Sequence, residues 1–288
     1  MKISELINSG KPILSMEVFP PKTSDKFNSI KSATEQIAAL KPDFMSVTYG
    51  AGGGTSEFTA DICANIQDNY NVPALAHLTC VSSDKDKISS VVENLKSKNI
   101  QNILALRGDI PKDFDRSQCH YHYASELIDD IKSLGDFCIG GACYPETHPE
   151  SENSFDDIAN LKIKVDKGCE FLTTQMFFDN NILYNFLYRI LKADIRVPVI
   201  AGIMPVTNAA QIKRIMSISN SALPQRFIRI VDRYGSDPDA MRQAGIAFAT
   251  EQIIDLYANG VNCVHIYTMN KPDVAKAIMD NISYIIKK

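Results

Sequence analysis

Glu17 is the residue whose surroundings most clearly suggest chemistry. It lies in an apolar run that ends in Phe19-Pro20-Pro21, and apolar surroundings disfavour a charged carboxylate and raise its pKa. A carboxylic acid that keeps its proton near neutral pH can act as a general acid. The sequence therefore predicts a proton donor at Glu17, and a buried carboxyl with a purely structural role is the alternative.

A second group of interest is Arg107-Gly108-Asp109, which ends a predicted strand. It places two opposite charges two residues apart. The glycine between them allows the backbone to approach a ligand closely. The group therefore suits a polar ligand, and an ion pair at a strand end is the alternative that involves no ligand.

Polar side chains recur at alternate positions of six predicted strands and crowd the carboxyl end of each strand. They are Ser15 and Glu17, Ser46 and Thr48, His77 and Thr79, Arg107 and Asp109, Thr173 and Gln175, and His265 and Tyr267. Because side chains alternate between the faces of a strand, the members of each pair face the same way. Buried polar residues are often only structural, but the agreement of six strands predicts one polar mouth on a barrel.

The elements that must position these residues alternate along the whole chain. Short β-rich runs cover residues 13–19, 43–49, 74–80, 102–107, 137–143, 170–175, 197–203 and 262–268. Amphipathic helical patterns lie between them. Strict alternation favours a parallel sheet, and eight repeats at this length favour its closure. The sequence therefore predicts an α/β fold, a (β/α)8 TIM barrel, as a single domain over residues 1–288.

Helix start signals support this organisation. Capping-box sequences occur at 83–86 and 154–157, and Asp237-Pro238 places proline at a first helical position. Segment 204–260 is longer than the other crossovers. We therefore expect an extended crossover between the seventh and eighth strands, with two helical patterns separated by Leu223-Pro224.

Composition excludes several classes of protein. The chain is 45% apolar and 22% charged, which is ordinary for a globular protein. Its net charge of −4 leaves no basic surplus for nucleic acid. No apolar run is long enough for a membrane span, and the N-terminus lacks the apolar core of a signal peptide. We therefore expect a cytoplasmic protein with no nucleic-acid or membrane partner.

The seven cysteines are scattered and contain no C-x-x-C pair. An odd and dispersed set predicts neither a disulfide framework nor a zinc site, and most of these residues are expected in the core. Cys119-His120-Tyr121-His122 contains metal-ligating residue types, but no partner cluster accompanies it in the sequence. We therefore expect no bound metal.

Eight short motifs occur in order along nearly the whole chain. They are MEVFPPK at 16–22, SVTYGA at 46–51, AHLTC at 76–80, ALRGD at 105–109, YPETHPE at 144–150, TQMFFD at 174–179, GIMPV at 202–206 and HIYTMN at 265–270. Together they closely resemble the methylenetetrahydrofolate reductase family. That family is a flavin-bearing (β/α)8 barrel that reduces 5,10-methylenetetrahydrofolate to 5-methyltetrahydrofolate with a nicotinamide donor. The chain resembles the short bacterial form, the catalytic barrel alone, so we expect no inhibition by S-adenosylmethionine.

The resemblance implies a reaction and a role for the charged residues. The substrates would be methylenetetrahydrofolate and NADH or NADPH, the cofactor would be FAD, and the kinetic order would be ping-pong. Glu17 corresponds to the family's general acid, which protonates the departing ring nitrogen when the methylene bridge opens. Asp109 would lie beside the isoalloxazine, where its charge disfavours extra negative charge on reduced flavin. We also expect a homo-oligomer.

The resemblance further implies which residues bind the cofactor and the substrate. For FAD they are Thr48, His77, Arg107, Gly108, Asp109, Tyr123, Ala124, Tyr144, His148, Asp157, Asn160 and Lys164. For the folate they are Glu17, Asp109, Gln175, Gln211 and Lys271. Gln175 carries both a donor and an acceptor, which suit a pterin edge or a carboxamide. Some relatives have an aromatic residue where this chain has Ile215, so we expect weaker stacking on substrate and nucleotide.

Two other classes of function remain as alternatives. One is another barrel that acts on pterins or amines, such as a pterin-binding methyltransferase domain or a flavin amine dehydrogenase. Neither of these needs Glu17 to form an iminium ion. The other is a barrel that only binds folate, as a non-catalytic subunit. Bound flavin and its reduction by a nicotinamide nucleotide distinguish these alternatives from the reductase.

Overall fold

The barrel consists of eight parallel strands that pair in chain order, with the eighth pairing back to the first. The computed structural model describes residues 1–21, 27–49, 56–110, 119–218 and 222–286. The strands are β1 (Ile13–Val18), β2 (Phe44–Val47), β3 (Ala74–Thr79), β4 (Asn102–Leu106), β5 (Cys138–Cys143), β6 (Phe171–Thr174), β7 (Val199–Ile203) and β8 (Cys263–Tyr267). The predicted (β/α)8 barrel is confirmed, and each strand lies within its predicted run.

Helices alternate with these strands. They are α1 (Ile3–Ile7), α2 (Phe27–Ala39), α3 (Ser56–Tyr70), α4 (Lys85–Ser97), α5 (Ala124–Leu134), α6 (Ser154–Asp166), α7 (Asn180–Lys192), α8 (Ala209–Ile218), α9 (Gln225–Tyr234), α10 (Pro238–Ala258), α11 (Pro272–Asn281) and α12 (Ser283–Ile286). Asp84 caps α4 by accepting a hydrogen bond from the backbone N–H of Lys87 at 2.8 Å. Asn153 caps α6 in the same way, one residue before the predicted capping box.

The amino-terminal end of the barrel is filled by one buried, inward-facing residue from each strand. They are Ile13, Phe44, Leu75, Leu104, Cys138, Phe171, Ile200 and Cys263. Helix α1, which the sequence pattern does not predict, adds Ile3 and Ile7 to this apolar plug. The backbone N–H of Ile3 also donates to Asn102 Oδ1 at 2.8 Å. The plug seals this end, so the carboxyl ends of the strands form the mouth that can receive a ligand.

One step closer to the mouth, the inward-facing residues become polar or small. The buried polar ones are Ser15, Ser46, His77, Thr173 and His265. Glycines occupy the corresponding positions of β5 and β7. A Cβ at Gly202 would lie 2.5 Å from Tyr267 Oη, so a larger residue does not fit beside that ring. The predicted alternation is thereby confirmed for β1, β2, β3, β6 and β8.

Strand β4 departs from the predicted pattern. Leu104 faces the barrel interior, whereas Ile103 and Ala105 pack with the residues beneath the outer helices. Arg107 and Asp109 therefore do not continue the inward-facing positions, and they lie beyond the end of the strand. The prediction that they share its inward face is wrong, because the inward-facing positions of β4 are the even-numbered ones and the strand ends at Leu106.

The extended crossover between β7 and β8 is confirmed, but its described residues, 204–218 and 222–262, form three helices rather than two helical patterns. Helix α8 precedes Leu223-Pro224, and α9 and α10 follow it. Asp237 caps α10 and Pro238 occupies its first turn, which separates α10 from α9. Residues of this crossover and of the turn after β6 form a separate apolar cluster. They are Met176, Phe178, Val206, Ile215, Phe227, Met241 and Phe248.

All seven cysteines are free thiols, and six of them are buried. Burial raises the pKa of the Cys143 thiol, which is typical of a core residue rather than a nucleophile. The predicted core location is thus confirmed for most of the cysteines. Among the described helices, none is both long and apolar enough to cross a lipid bilayer.

Candidate active site

Strands β1, β2, β3 and β8 bring polar side chains together at Glu17. Ser46 Oγ donates a hydrogen bond to Glu17 Oε2 at 3.2 Å. His77 Nε2 and His265 Nε2 lie 3.5 and 3.6 Å from the same oxygen. On its far side, His265 Nδ1 lies 2.7 Å from Ser15 Oγ. The carboxyl is therefore held by two imidazoles and a hydroxyl, just above the apolar plug.

Strand register and the residues after β8 fix this arrangement. Glu17 is level with Ser46 of β2 in the parallel sheet. Thr268 Oγ1 donates to the backbone carbonyl of Glu17 at 2.6 Å. Asn270 Nδ2 donates to the carbonyl of Phe19 at 2.9 Å, and Asn270 Oδ1 accepts from the Phe19 N–H at 3.0 Å. Asn270 has a φ of 52°, a left-handed conformation that asparagine tolerates.

The pKa of Glu17 differs from the prediction. Burial raises it, but the imidazoles of His265 and His77 and the hydroxyl of Ser46 outweigh burial and leave it below its ordinary value. The prediction of a raised pKa is wrong, because the sequence does not show that two histidines converge on this carboxyl. Burial lowers the pKa of His77 to about 4, so this ring is neutral near neutral pH.

Tyr267 spans the mouth of the barrel from β8. Its Oη donates to the backbone carbonyl of Thr174 at 2.5 Å, and Gly202 provides the space beside its ring. The ring meets that of His265 edge-on, with 5.4 Å between centroids. Burial, helped by the charge of Glu17, raises the pKa of Tyr267 well above its ordinary value. The phenol therefore forms a neutral wall next to the carboxyl.

Three residues predicted to bind folate lie on the β6, β7 and β8 side of the mouth. Lys271 Nζ donates to Thr207 Oγ1 at 2.9 Å, and Gln211 Oε1 accepts from the Thr207 N–H at 3.0 Å. Lys271 and Gln211 therefore meet through Thr207. Gln175 follows β6 directly, and its Oε1 accepts from the N–H of Met176 at 2.9 Å. The backbone thus orients the amide group of Gln175.

A second group of predicted residues lies at the carboxyl ends of β4 and β5. Arg107 forms a two-pronged ion pair with Glu150, with N–O distances of 2.8 and 2.7 Å. The backbone N–H of Glu150 donates to His148 Nδ1 at 3.1 Å, and the rings of His148 and Tyr144 meet edge-on at 4.5 Å. The hydrogen bonds that Arg107 donates to the Glu150 carboxylate raise the pKa of Arg107. These four residues form one continuous surface.

Gly108 and Asp109 belong to the turn after β4. Gly108 has a φ of 89°, and a Cβ there would lie 3.0 Å from Thr79 Cβ, so glycine suits this position. The side chain of Asp109 is exposed. The charged partner of Arg107 is Glu150, and within this described turn the ion pair between Arg107 and Asp109 is not formed.

Helix α6 contributes Asp157, Asn160 and Lys164. Lys164 Nζ donates to the backbone carbonyl of Ala142 on β5 at 2.6 Å. Burial lowers the pKa of this ammonium group, and the nearby charge of Asp157 opposes that change. Asp157 also accepts a hydrogen bond from Ser151 Oγ at 3.2 Å. The structure therefore brings Asp157 and Lys164 together, whereas the side chain of Asn160 is exposed.

Three other predicted cofactor residues lie apart from these groups. Thr48 follows β2, and its carbonyl accepts from Thr59 Oγ1 at 2.9 Å. Tyr123 caps α5 and Ala124 begins it. The side chain of Tyr123 is 62% exposed, and its backbone N–H donates to Glu126 Oε2 at 3.1 Å. Within the described ranges, no hydrogen bond or ion pair joins these three residues to the other predicted cofactor residues.

The side chain of Ile215 is buried in this chain. It is 5% exposed and packs in the apolar cluster of the long crossover. The prediction concerned a residue that stacks on substrate and nucleotide. In this chain the side chain instead contributes to the core that supports α8.

Several site residues have no predicted role. The strand pattern places Ser15, Ser46 and His265 on the inward face but does not say what they do. Glu150 and Asn270 lie within the YPETHPE and HIYTMN motifs, so both motifs contained a usable signal. No signal in the sequence pointed to Thr207, because its contacts depend on how the crossover after β7 folds against β8.

The mouth combines two chemical capacities. A carboxyl linked to two imidazoles can exchange a proton with a bound molecule. The donors of Arg107, which pair with Glu150, and of Lys164 are of the type that can hold an anionic ligand such as a phosphate. The arrangement therefore suits a reaction that needs both a proton donor and a phosphate-bearing cofactor.

The chain is similar to known proteins over nearly its whole length. The family model described as Methylenetetrahydrofolate reductase matches residues 2–283. The chain is 35% identical over 269 residues to the 5,10-methylenetetrahydrofolate reductase of Escherichia coli strain K12, a match that covers 93% of this chain and 90% of that protein. It is 33% identical to Methylenetetrahydrofolate reductase (NADH) 1 of Arabidopsis thaliana, over 99% of this chain and 50% of that protein.

A solved structure shares the barrel at much lower identity. It is a Clostridium thermocellum protein described as uncharacterized and as binding two copies of 5-methyl-5,6,7,8-tetrahydrofolic acid. Its TM-score is 0.69 at 14% identity, over 99% of this chain and 100% of that one, so the likeness shows the fold alone. The family match and the bacterial relative go further. On that evidence, the chain belongs to the methylenetetrahydrofolate reductase family.

Proposed function

We propose that this protein reduces 5,10-methylenetetrahydrofolate to 5-methyltetrahydrofolate, with NADH or NADPH as the reductant and FAD as the cofactor. Family membership supports the reaction, since the match extends over residues 2–283. The observation that carries the proposal is the position of Glu17. It lies near the carboxyl end of β1, within hydrogen-bonding distance of Ser46, at the end of the barrel where such folds bind their substrates.

Glu17 is assigned the proton transfer. Opening the methylene bridge breaks one C–N bond, and its electron pair goes to the ring nitrogen. The methylene carbon then becomes an iminium that can accept hydride. A carboxyl in contact with the departing nitrogen protonates it and makes it a better leaving group. Among the described residues, Glu17 is the carboxyl held inside the barrel by Ser46.

The side of the mouth formed by β4, β5 and α6 fits a flavin dinucleotide. The proposed cofactor residues are Thr48, His77, Arg107, Gly108, Asp109, Tyr123, Ala124, Tyr144, His148, Asp157, Asn160 and Lys164. Arg107 presents a planar fork of donors, which suits a phosphate. Gly108 keeps the neighbouring turn free of a side chain that would meet Thr79. When bound, a flavin accepts a hydride from a nicotinamide nucleotide and passes it to a second substrate.

Four residues are proposed to act on the substrate side. Asp109 adds negative charge at the end of β4 and is assigned a second role beside the flavin ring. Gln175 offers a donor and an acceptor to a pterin edge or to a nicotinamide carboxamide. Gln211 and Lys271 are joined through one threonine, and the ammonium group of Lys271 can attract the carboxylates of a glutamyl tail.

Nucleotide and folate are proposed to use the same place in turn. This order predicts parallel lines in double-reciprocal plots of the steady-state rate. Intersecting lines would indicate that both substrates bind together. The same experiment, run with NADH and with NADPH, decides the preferred donor, and light scattering of the purified protein tests the expected homo-oligomer.

Anaerobic spectroscopy tests the proposed function. We expect the purified protein to show oxidised-flavin absorbance, to lose it when NADH or NADPH is added, and to regain it when methylenetetrahydrofolate follows. Reduction without reoxidation by folate would favour another flavin enzyme, such as an amine dehydrogenase. Folate binding by a protein that takes up no FAD would favour a non-catalytic binding subunit.

A further inference from the structure

The polar layer of the barrel contains more groups than a single proton donor needs. Ser15, His265, Ser46 and Glu17 form an unbroken series of polar contacts, which we call the proton line. We infer that His265 and Ser46 are positioning residues that supply Glu17 with its proton, which passes from His265 Nε2 through Ser46 Oγ to Glu17 Oε2. The inference rests on the proposed function, since it explains how the assigned acid regains its proton.

Ser15 determines which nitrogen of His265 carries a proton. Ser15 has one hydroxyl hydrogen, and its Oγ donates that hydrogen to the backbone carbonyl of Val264 at 3.1 Å. The same oxygen lies 2.7 Å from His265 Nδ1, and when its hydrogen is on the Val264 carbonyl it accepts a hydrogen bond from that nitrogen. In this inferred arrangement, neutral His265 carries its proton on Nδ1, and its Nε2 has a lone pair.

The lone pair on Nε2 then requires one more proton in the line. His265 Nε2 lies 3.2 Å from Ser46 Oγ and 3.6 Å from Glu17 Oε2. Ser46 has a single hydrogen, so it can donate to only one of these two neighbours. The remaining contact is satisfied only if a proton resides on His265 Nε2 or on the carboxyl of Glu17.

Ser46 connects these two positions of the proton. When His265 is cationic, its Nε2–H donates to Ser46 Oγ, and the Ser46 hydroxyl donates to the Glu17 carboxylate. In the transfer, Ser46 Oγ takes the proton from Nε2 while its own hydrogen moves to Glu17 Oε2. One N–H bond breaks and one carboxyl O–H bond forms. The products are a neutral imidazole and a neutral carboxylic acid, so atoms and charge balance.

The groups beside the line do not compete for its proton. His265 is 2% exposed, and its ring stacks on that of Phe44 with 6.0 Å between centroids. Among the described residues, the other titratable groups facing the line are His77 of β3 and Tyr267 of β8. Burial lowers the pKa of His77 to about 4 and keeps the Tyr267 phenol protonated. Neither group titrates near neutral pH.

The line gives the folate reaction a defined pH dependence. Reduction of the folate requires a proton on the line. As the pH rises, that proton leaves and reduction of the folate slows. Each turnover transfers one proton to the substrate nitrogen, and the line regains one from solvent.

The test measures how fast the reduced, FAD-loaded protein is reoxidised by methylenetetrahydrofolate as a function of pH. His265→Gln should slow this step roughly 10- to 100-fold and shift the pH at which the rate falls on the alkaline side (the alkaline limb), because one of the two groups that can hold the proton is lost. Ser46→Ala should slow it about tenfold. Ser46→Thr keeps a hydroxyl and should recover most of the rate.

Thr173→Val is the matched control. Thr173 lies in the same layer of the barrel and is also buried, but its hydroxyl is outside the proton line. Its removal should change neither the rate nor the pH limb. An unmoved limb in His265→Gln, or equal rates in Ser46→Ala and Thr173→Val, would overturn the inference.

A measurement without turnover separates this inference from the proposed function. Nitrogen NMR of the wild-type protein labelled on its histidines should show neutral His265 protonated at Nδ1 and titrating at Nε2. If His265→Gln does not fold, this titration and the comparison of Ser46→Ala with Ser46→Thr decide the question. A neutral His265 protonated at Nε2 would overturn the proton line. A wild-type protein that shows the expected titration but is not reoxidised by the folate would instead contradict the proposed function.

Discussion

The two sides of the barrel mouth are built in different ways. Around Glu17 the polar groups are carried by strands, and sheet register sets their positions. Around Arg107 they are carried by turns and by α6, and the ion pair between Arg107 and Glu150 leaves 20% and 42% of the two side chains exposed. Groups on strands are ordered by the fold itself, whereas groups on turns depend more on what they contact. The fold therefore sets the side around Glu17, whereas the proposed cofactor side depends more on what it contacts.

This difference separates two kinds of mutational effect. Changes on the proton side should alter the reaction and the stability of the barrel, because buried hydrogen-bonded groups are lost there. Changes on the cofactor side should alter ligand affinity and leave the free energy of unfolding nearly unchanged. Four variants test this separation.

Glu17→Gln is expected to have the largest effect. The amide fills the same space but has no carboxyl proton to deliver, so folate reduction should fall by a factor of roughly 10² to 10⁴. Oxidation of NADH or NADPH with an artificial electron acceptor should continue, because it does not use this proton. Rapid-mixing assays measure both steps separately, and an unchanged rate of folate reduction would remove Glu17 from the proposed role.

Arg107→Ala should weaken FAD binding about tenfold or more, which corresponds to about 1.4 kcal/mol. Its effect on unfolding should stay within about 1 kcal/mol, since partly exposed ion pairs contribute little. Flavin fluorescence titration and thermal unfolding of the FAD-free protein measure the two quantities. Arg226→Ala is the matched control, because Arg226 pairs with Glu251 on exposed helical surface. Equal FAD affinities in the two variants would contradict the cofactor role of Arg107.

His77 should make the stability of the proton side sensitive to acid. Its pKa in the folded protein is about 4, against an ordinary value of 6.5. As the pH falls through this interval, the unfolded chain binds a proton that the folded chain does not, so the free energy of unfolding decreases. The loss should be roughly 2 kcal/mol near pH 4.5 and smaller in His77→Gln. Denaturant titrations at neutral and acidic pH measure it, and identical acid sensitivity in both proteins would contradict this explanation.

Asp109→Asn should have the smallest effect, a modest rise in the midpoint potential of bound flavin. Removing a negative charge makes the gain of electrons more favourable, but solvent screens the charge because Asp109 is exposed. Spectroelectrochemical titration measures the shift. Asp68→Asn removes the same charge from the exposed end of α3 and serves as the control. A lowered potential in Asp109→Asn would contradict the electrostatic role.

The sequence predicted the side of the mouth around Glu17, where strands carry the polar groups, better than the side around Arg107, where turns carry them. Once a strand is located, its two-residue period fixes which side chains face inward, and Ser15 and Glu17 were found in this way. Arg107 was misplaced because the even-numbered positions of β4 face inward and the strand ends one residue before Arg107. Its partner Glu150 lies 43 residues farther along the chain, and no local pattern links the two. Thr207 escaped prediction for the same reason.

The charge state of Glu17 shows a second limit of sequence reasoning. Its apolar neighbours correctly predict burial, but burial is only one influence on its pKa. The opposing influences come from His77 on β3 and His265 on β8, which meet Glu17 only when the barrel closes. Helix α1 is a similar case, because a five-residue helix has too little periodicity for prediction and is held by its contacts with the plug.

A crystal structure of the Glu17→Gln variant with FAD and methylenetetrahydrofolate bound would test the central claim most directly. The account predicts that the side chain at position 17 lies within roughly 2.6 to 3.2 Å of the departing ring nitrogen, or one water molecule from it. Ser46 and His265 should lie behind it in the same line. A side chain at position 17 that points away from every folate nitrogen would contradict the account.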